Sequence, residues 1–319
     1  MPELPEVETV KRGLNNLLIG HKIIDVSFDW PKGFPNSPGD VNSFLVGAKV
    51  TAVRRRAKVL MIDLSTKYTL VIHLKMTGQL VYVRGKKQGQ ESRVMSHEKD
   101  QKVAPHNTVI EAETRFGAGH PNDSLVSRLP DKSTRVEFTL DNDAKLFFND
   151  QRKFGWVRLL PTVEVPNIDF MKKVGPEPLE DDFTAKILFD RLQRRKNTTI
   201  KAAILDQTVL AGIGNIYADE SLWGAKIHPA TLVKNVSENK IKKLFTQIRF
   251  VLNLSIEKGG STDRNYVNAE GKRGSYIDFA RVFRKEGQPC PRHPDIEIIK
   301  IRVATRGTHL CPKCQVLSD

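Results

Sequence analysis

The chain has very little cysteine, no apolar run long enough to cross a bilayer and no acidic excess. Each absence removes a class of protein. Only three of its 319 residues are cysteine, Cys290, Cys311 and Cys314, all near the C-terminal end. An odd, clustered set does not make a disulfide framework and points to metal or a reactive thiol. No eighteen consecutive apolar residues occur, which excludes a spanning helix. The opening Met1-Pro2-Glu3-Leu4-Pro5-Glu6 is acidic and lacks the apolar centre of a secretory signal. What is in surplus is positive charge: 51 Lys+Arg against 37 Asp+Glu, a formal net charge of +14. On a globular composition, 39% hydrophobic and 28% charged, that surplus favours a polyanionic partner, nucleic acid first. The length suggests about two domains.

The coarse pattern is α+β. Pro5 suits the first position of a helix whose first turn carries Glu6 and Glu8, and Val7, Val10, Leu14 and Leu17 form its apolar stripe. Strand-like runs follow at 21–28, 48–54, 59–64 and 69–74, with a hairpin over 135–140 and 145–149. Many short strands after one helix predict an N-terminal β-sandwich with a flanking helix, residues 1–160. The polar stretch 84–128 shows no sustained periodicity and reads as a long surface insertion in a hairpin of that sandwich. The rigid Gly175-Pro176-Glu177-Pro178 marks a linker, 161–182. Residues 183–286 are expected to be helical, with helices over 183–194, 199–207, 216–224 and 237–257. A hairpin tail occupies 287–319.

Three constellations carry chemistry. Cys290-Pro-Arg-His293 and Cys311-Pro-Lys-Cys314 are paired knuckles that supply four ligands in tetrahedral reach, the requirement of one structural Zn²⁺ ion. His309 competes with His293 as the fourth ligand, and the knuckle position favours His293. Between the knuckles Ile299, Ile301 and Val303 alternate with Lys300 and Arg302, so one apolar and one basic face are expected. Arg302 and Arg306 would present cations to phosphate at the hairpin tip. Second, Gly212-Ile213-Gly214-Asn215 precedes a helix start, with Asn215 as the expected N-cap. Such a turn, with Lys201 on the helix before it, suits a phosphate clamp and equally a plain helical hairpin. Third, removal of Met1 ahead of proline would leave Pro2 with a secondary amine able to attack a sugar C1′. Glu3 beside it is a proton donor if burial raises its pKa. By itself this segment equally reads as an ordinary acidic N-terminus.

The run Met1 to Thr9, Asp206-Gln207, Ala211 to Glu220 and Arg306-Gly-Thr-His309 closely resemble bacterial formamidopyrimidine-DNA glycosylase. Asn149 to Gly155 and Gly175 to Pro178 are similar to that family too. The related endonuclease VIII branch carries Pro-Glu-Gly-Pro where this chain has Pro2-Glu3-Leu4-Pro5, which favours the oxidised-purine branch. The resemblance implies a β-sandwich, a helix-two-turn-helix DNA-binding region and a zinc-finger hairpin. It implies a monomer acting on double-stranded DNA with oxidised bases, in the cytoplasm at the bacterial nucleoid. By resemblance Pro2 is the nucleophile, Glu3 the acid that opens the sugar ring, Glu6 a second nearby carboxylate, and Lys58 the lysine assisting β-elimination. Arg306 matches an arginine credited with proton donation in δ-elimination. A guanidinium keeps its charge, so a phosphate clamp is the expected role. Met76, Arg152 and Phe154 match the residues that fill the gap left by an extruded base, although on sequence alone Met76 reads as core. His73, Lys153, Lys196, Lys201 and Asn215 match backbone-contact positions, and residues 259–276 resemble the loop that covers the flipped purine. His293 departs from the family's usual cysteine, Ser133 from a DNA-contacting histidine and Lys75 from a glycine. Two alternatives stand beside this reading: an oxidised-pyrimidine glycosylase, and a non-catalytic zinc-containing DNA-binding protein.

Overall fold

In the computed structural model, residues 2–85, 114–119, 123–261 and 276–317 are described. Helix α1 (Leu4–Leu18) begins one residue before the proline signal predicts, because Glu3 takes the cap position in an extended conformation. The Glu3 N–H donates to the Glu6 carboxylate at 2.8 Å, which ties the N-terminal residue pair to the first helical turn. Val7, Val10 and Leu14 are buried against a β core as expected, while Leu17 is only partly covered and Leu18 is buried.

The strands are β1 (Ile23–Phe28), β2 (Val50–Arg56), β3 (Val59–Leu64), β4 (Tyr68–His73), β5 (Gly78–Arg84), β6 (Thr114–Gly119), β7 (Thr134–Leu140), β8 (Ala144–Asp150) and β9 (Trp156–Pro161), with a short helix α2 (Pro38–Phe44) after β1. They form a five-stranded sheet, order β1-β7-β8-β5-β6, and a four-stranded sheet, order β2-β3-β4-β9. The two inner faces share one core. Val53, Leu60, Ile72 and Val157 come from one sheet, and Leu80, Val136, Phe138 and Phe148 from the other. Burial of each such side chain contributes about 1.5–3 kcal/mol.

Two readings need correction. The stretch 84–128 is not wholly irregular, since β6 lies inside it and pairs with β5 from Gln79↔Gly119 to Arg84↔Thr114. Alternation was hidden because Gly117 and Gly119 supply no side chains to the pattern. Residues 86–113 and 120–122 of that stretch lie outside the described residues, and a short 3-10 turn, Asp123–Leu125, falls near its end. Strand β9 was also missed. It follows a loop of polar and aromatic residues and is specified by pairing with β4, His73↔Trp156 to Tyr68↔Pro161.

Beyond β9 come a short helix α3 (Asp169–Lys173), then α4 (Ala185–Gln193), α5 (Ile200–Leu205), α6 (Asn215–Ala225), α7 (Glu238–Glu257) and α8 (Tyr276–Phe279). Thr184, Thr199 and Ser237 cap α4, α5 and α7, each side chain accepting a backbone N–H three residues on. Leu188, Ile204, Leu222, Leu244 and Ile248 fill the core of this helical region. Leu4 belongs to that core and not to the sandwich, and its N–H donates to Gly212 O at 3.0 Å. The N-terminus is thus held between the two layers. The tail forms two antiparallel hairpins, β10 (Pro289–Cys290) with β11 (His293–Glu297), and β12 (Ile299–Val303) with β13 (Arg306–Leu310). The apolar face expected on β12 is realised only at Val303; Ile299 is 39% exposed, since no second layer covers that end of a two-stranded ribbon. Among the described residues no helix is long and apolar enough to cross a membrane.

Candidate active site

A cavity of about 310 Å³ opens where the sandwich meets the helices, lined among others by Glu3, Lys58, Met76, Asn215 and Arg306. Glu3 reaches it from the cap of α1, Lys58 from the β2–β3 turn and Arg306 from the start of β13. Burial drives the Glu3 carboxyl up to about 7, Lys58 opposes that rise, and the neighbouring Glu6 adds to it. Lys58 is pushed below the ordinary lysine value by the same burial, with Glu3 and Glu6 pulling the other way. Its ammonium donates to Ile213 O at 2.8 Å. One Glu3 oxygen, Oε2, and Asn215 Oδ1 are buried without a partner, and both residues line the cavity. Unpaired buried acceptors at a cavity wall await a donor from outside the chain.

The two-glycine turn serves this carboxyl. Gly212 has φ +79, where a side chain would be strained and where an added Cβ would meet Leu4 at 2.6 Å. The N-cap of α6 is Gly214, not the expected Asn215. A Cβ on Gly214 would sit 2.1 Å from Glu3 Cδ, so only glycine lets the carboxyl approach the helix. The Ile216 N–H, in the first turn of α6, donates to Glu3 Oε1 at 3.5 Å. The helix N-terminus predicted to receive phosphate is therefore turned toward the protein's own carboxyl.

Beside the cavity mouth stand three exposed side chains. Met76 is 45% and Phe154 53% exposed, which removes the core reading of Met76. Arg152 lies over the Phe154 ring at 4.7 Å and its Nη1 is 3.6 Å from Met76 Sδ. Buried Asp150 fixes both loops that carry them. It accepts from Thr77 Oγ1, from the Arg152 N–H at 3.2 Å and from the Gly155 N–H at 2.7 Å. Lys75 and Lys153, next to these residues, both have left-handed backbones, φ +50 and +58, a strained setting for non-glycine residues. Lys75 thus occupies a conformation that favours glycine.

At the tail, one donor atom each from Cys290, His293, Cys311 and Cys314 lie within 4.8 Å of one another. Three sulfurs and an imidazole in that spacing form a cluster able to hold a metal ion. His309 is outside it. Its Nδ1 lies 3.4 Å from Asp219 Oδ2 and its ring packs edge-on to Phe283, so His293 is the fourth member.

Comparison with known proteins accords with this geometry. Residues 1–157 match the formamidopyrimidine-DNA glycosylase N-terminal domain, and residues 174–266 the formamidopyrimidine-DNA glycosylase H2TH domain. The formamidopyrimidine-DNA glycosylase of Chloroflexus aurantiacus is 39% identical over 319 residues, covering 99% of this chain and 98% of the relative. The chain belongs to the formamidopyrimidine-DNA glycosylase family. Among solved structures, the wild-type Lactococcus lactis Fpg with DNA containing N7-benzyl-Fapy-dG has a TM-score of 0.78 at 31% identity, covering 99% of this chain and 100% of that one. The same enzyme with DNA containing an oxidised pyrimidine gives 0.77 at 31%, with the same coverage.

Within this family member, the sequence-predicted residues divide by exposure. Glu3, Lys58 and Arg306 meet at the cavity, with Pro2 adjoining Glu3 in the chain. Lys153 and Lys196 are exposed and free to meet a polyanion. His73 and Lys201 are not so placed. His73 is 4% exposed, its Nδ1 accepts the Lys75 N–H at 2.9 Å, and burial, with Lys75 and Lys58 nearby, drives its pKa down to about 3. Lys201 is fully buried on Asp219, with Nζ 2.6 Å from Oδ1. Ser133 is buried, donating to Asp131 Oδ1 at 2.7 Å. Residues 262–275, most of the expected covering loop, lie outside the described residues.

Four positioning residues lie within the motifs quoted above but carry no role in the sequence reading: Asp150, Glu177, Gln207 and Tyr217. Glu177 accepts from the Ala57 N–H and from Arg55 Nη1 at 2.8 Å, holding the turn that carries Lys58. Gln207 grips the glycine turn, accepting from Gly212 N–H at 2.9 Å and donating to Ile213 O at 2.8 Å. Tyr217 donates to Glu6 Oε1 at 2.5 Å. Glu177 and Tyr217 meet partners remote in sequence, as Asp150 does at Thr77, so no local spacing announces them; the Gln207 bonds and the other Asp150 bonds close turns only a few residues long.

Proposed function

We infer that this protein is a bifunctional DNA glycosylase and abasic-site lyase of base excision repair, acting on duplex DNA that carries oxidised purines such as 8-oxoguanine and formamidopyrimidines. One observation carries the reading: a buried carboxyl, Glu3, half protonated near neutral pH, lines a cavity whose mouth adjoins three exposed wedge side chains. With Met1 removed, the Pro2 nitrogen attacks C1′ of the damaged nucleotide. The glycosidic bond breaks, the base leaves with its electron pair, and the attacking nitrogen gives up its proton, which the departing base takes up. Glu3 gives a proton to the ring oxygen as the C1′–O bond opens, and the nitrogen lone pair completes an iminium. Loss of a C2′ proton then expels the 3′ phosphate oxygen, and a second elimination expels the 5′ one. Lys58, its pKa lowered by burial, assists the first elimination as a base. Arg306 keeps its charge and clamps a phosphate.

Extrusion of the base leaves a gap in the stack at a cost of a few kcal/mol. Met76 and Phe154 wedge into it, and Arg152 pairs with the orphaned base. Lys153, Lys196 and Asn215 meet the backbone. Cys290, His293, Cys311 and Cys314 hold one structural zinc ion, which stabilises the tail that carries Arg306. On this reading the chain divides into a catalytic sandwich (1–160), a linker (161–182), a helical DNA-binding region (183–286) and a zinc finger (287–319), and the enzyme works as a cytoplasmic monomer at the nucleoid.

Borohydride trapping tests the chemistry. A covalent adduct with 8-oxoguanine duplex that vanishes in Pro2→Gly is expected; equal binding with no adduct in the parent protein means a DNA-binding module without catalysis. The second substrate class, oxidised pyrimidine, is kept in play by the Lactococcus lactis complex with such DNA. Excision rates on 8-oxoguanine and thymine-glycol duplexes side by side rank the two.

A further inference from the structure

We propose that Lys201 and Asp219 are positioning residues for Arg306, acting through β13 rather than by touching DNA. The inference rests on the glycosylase reading above and reassigns a lysine whose place in the sequence suggests a phosphate ligand.

The geometry leaves Lys201 no donor for an external anion. Its side chain is wholly buried. The ammonium has three N–H groups. They are directed at Asp219 Oδ1 at 2.6 Å, Thr308 Oγ1 at 2.7 Å and Gly307 O at 3.4 Å. Asp219 is equally enclosed, and its second oxygen accepts the His309 backbone N–H at 2.9 Å. The pair therefore grips three successive residues of β13, Gly307, Thr308 and His309. Asn215 adds a fourth hold, donating to Gly307 O at 3.0 Å. Thr308 Oγ1 in turn donates to Arg306 O at 3.0 Å, so the chain of bonds ends on the backbone of the residue that lines the cavity.

The rest of the hairpin explains why such a grip is needed. Arg306 follows a two-residue turn in which Ala304 and Thr305 both have left-handed backbones, φ +50 and +62. Those angles belong to a tight hairpin turn that prefers glycine or asparagine, so the tip is strained. Arg302, Ala304, Thr305, Arg306 and Gly307 are all exposed, with no core beneath them. At the far end β13 runs into the Cys/His cluster at Cys311. Without Lys201 and Asp219 the hold on β13 between that cluster and Arg306 is reduced to its pairing with β12 and the Asn215 bond to Gly307 O. A buried pair that loses one partner leaves an uncompensated charge, so either single change is expected to release the strand.

A double-mutant cycle on DNA binding tests this, using a duplex with a tetrahydrofuran abasic analogue and the salt dependence of Kd. One lost phosphate contact lowers the slope of log Kd against log salt by about 0.9. Arg306→Ala is expected to lower it by that amount, Asp219→Asn by the same amount, and the combination of the two by no more than either alone. Lys201→Met in the Arg306→Ala background is likewise expected to change nothing further. A second loss of about 0.9 in Lys201→Met/Arg306→Ala would show Lys201 on phosphate itself and overturn the proposal. So would a wild-type slope in folded Asp219→Asn. Should the single variants fail to fold, Lys201→Met/Asp219→Leu removes both charges together, and it too is expected to reproduce the Arg306→Ala slope; a parental slope there refutes the idea. Trapping of the parent protein by borohydride is read independently, so failure of the glycosylase reading is distinguishable from failure of this one.

Discussion

Gly214→Ala is the sharpest single perturbation of the site. Its φ of −133 is ordinary for alanine, so the backbone has no objection. The added methyl would instead lie 2.1 Å from Glu3 Cδ, 2.2 Å from Oε1 and 2.5 Å from Oε2. Ordinary contact begins near 3.4 Å, so the carboxyl must retreat by more than an ångström. It is the end of a flexible side chain and can do so cheaply, and alanine for glycine at an N-cap costs about 1 kcal/mol, which leaves the fold standing. Catalysis is less tolerant, because a misplacement of about 1 Å costs on the order of a hundredfold. Single-turnover excision from an 8-oxoguanine duplex should therefore fall about a hundredfold. Binding to a tetrahydrofuran duplex should stay within about threefold, by the reasoning that uniform contacts are untouched. On a preformed abasic site part of the sugar is already open, so the Schiff-base deficit should be smaller, about tenfold or less. Excision at the parental rate in a normally folded variant refutes the assignment of Glu3 as the acid.

Three further outcomes are expected. The excision rate should lose activity above about pH 7, where Glu3 with its pKa raised to about 7 gives up its proton, and fall about tenfold per pH unit beyond; a flat profile to pH 9 in single-turnover assays contradicts this. Asp150→Asn leaves one of the amides or hydroxyls now held by the carboxylate unsatisfied, so thermal unfolding should show a loss of about 1–3 kcal/mol and excision should drop to about the level of Phe154→Ala. Cys314→Ser should purify with less than one zinc per chain by atomic absorption and bind duplex DNA more weakly, since the Cys/His cluster braces the tail carrying Arg306.

Much of this molecule is written locally. The paired knuckles at 290–293 and 311–314, the charge surplus and the α1 stripe are legible in composition and spacing, because the residues concerned lie within a few positions or on one helix face. So does the chemistry at Pro2, which depends on a covalent fact about proline. What spacing does not carry is which charges end up in water. Lys201 and Lys196 are five positions apart and the same residue type, yet one is sealed on Asp219 and the other is exposed, a difference made by the strand that folds over α5 and α6 from residue 307 onward. Likewise Met76 reads as core until the Asp150 brace turns its loop outward, and β6 is invisible until β5 supplies a partner. The proton affinity of Glu3 is the clearest case: the carboxyl is ordinary in the chain and becomes an acid near neutrality because the fold buries it against α6 with Glu6 beside it, a rise that outweighs the lowering by Lys58 and the Ile216 N–H.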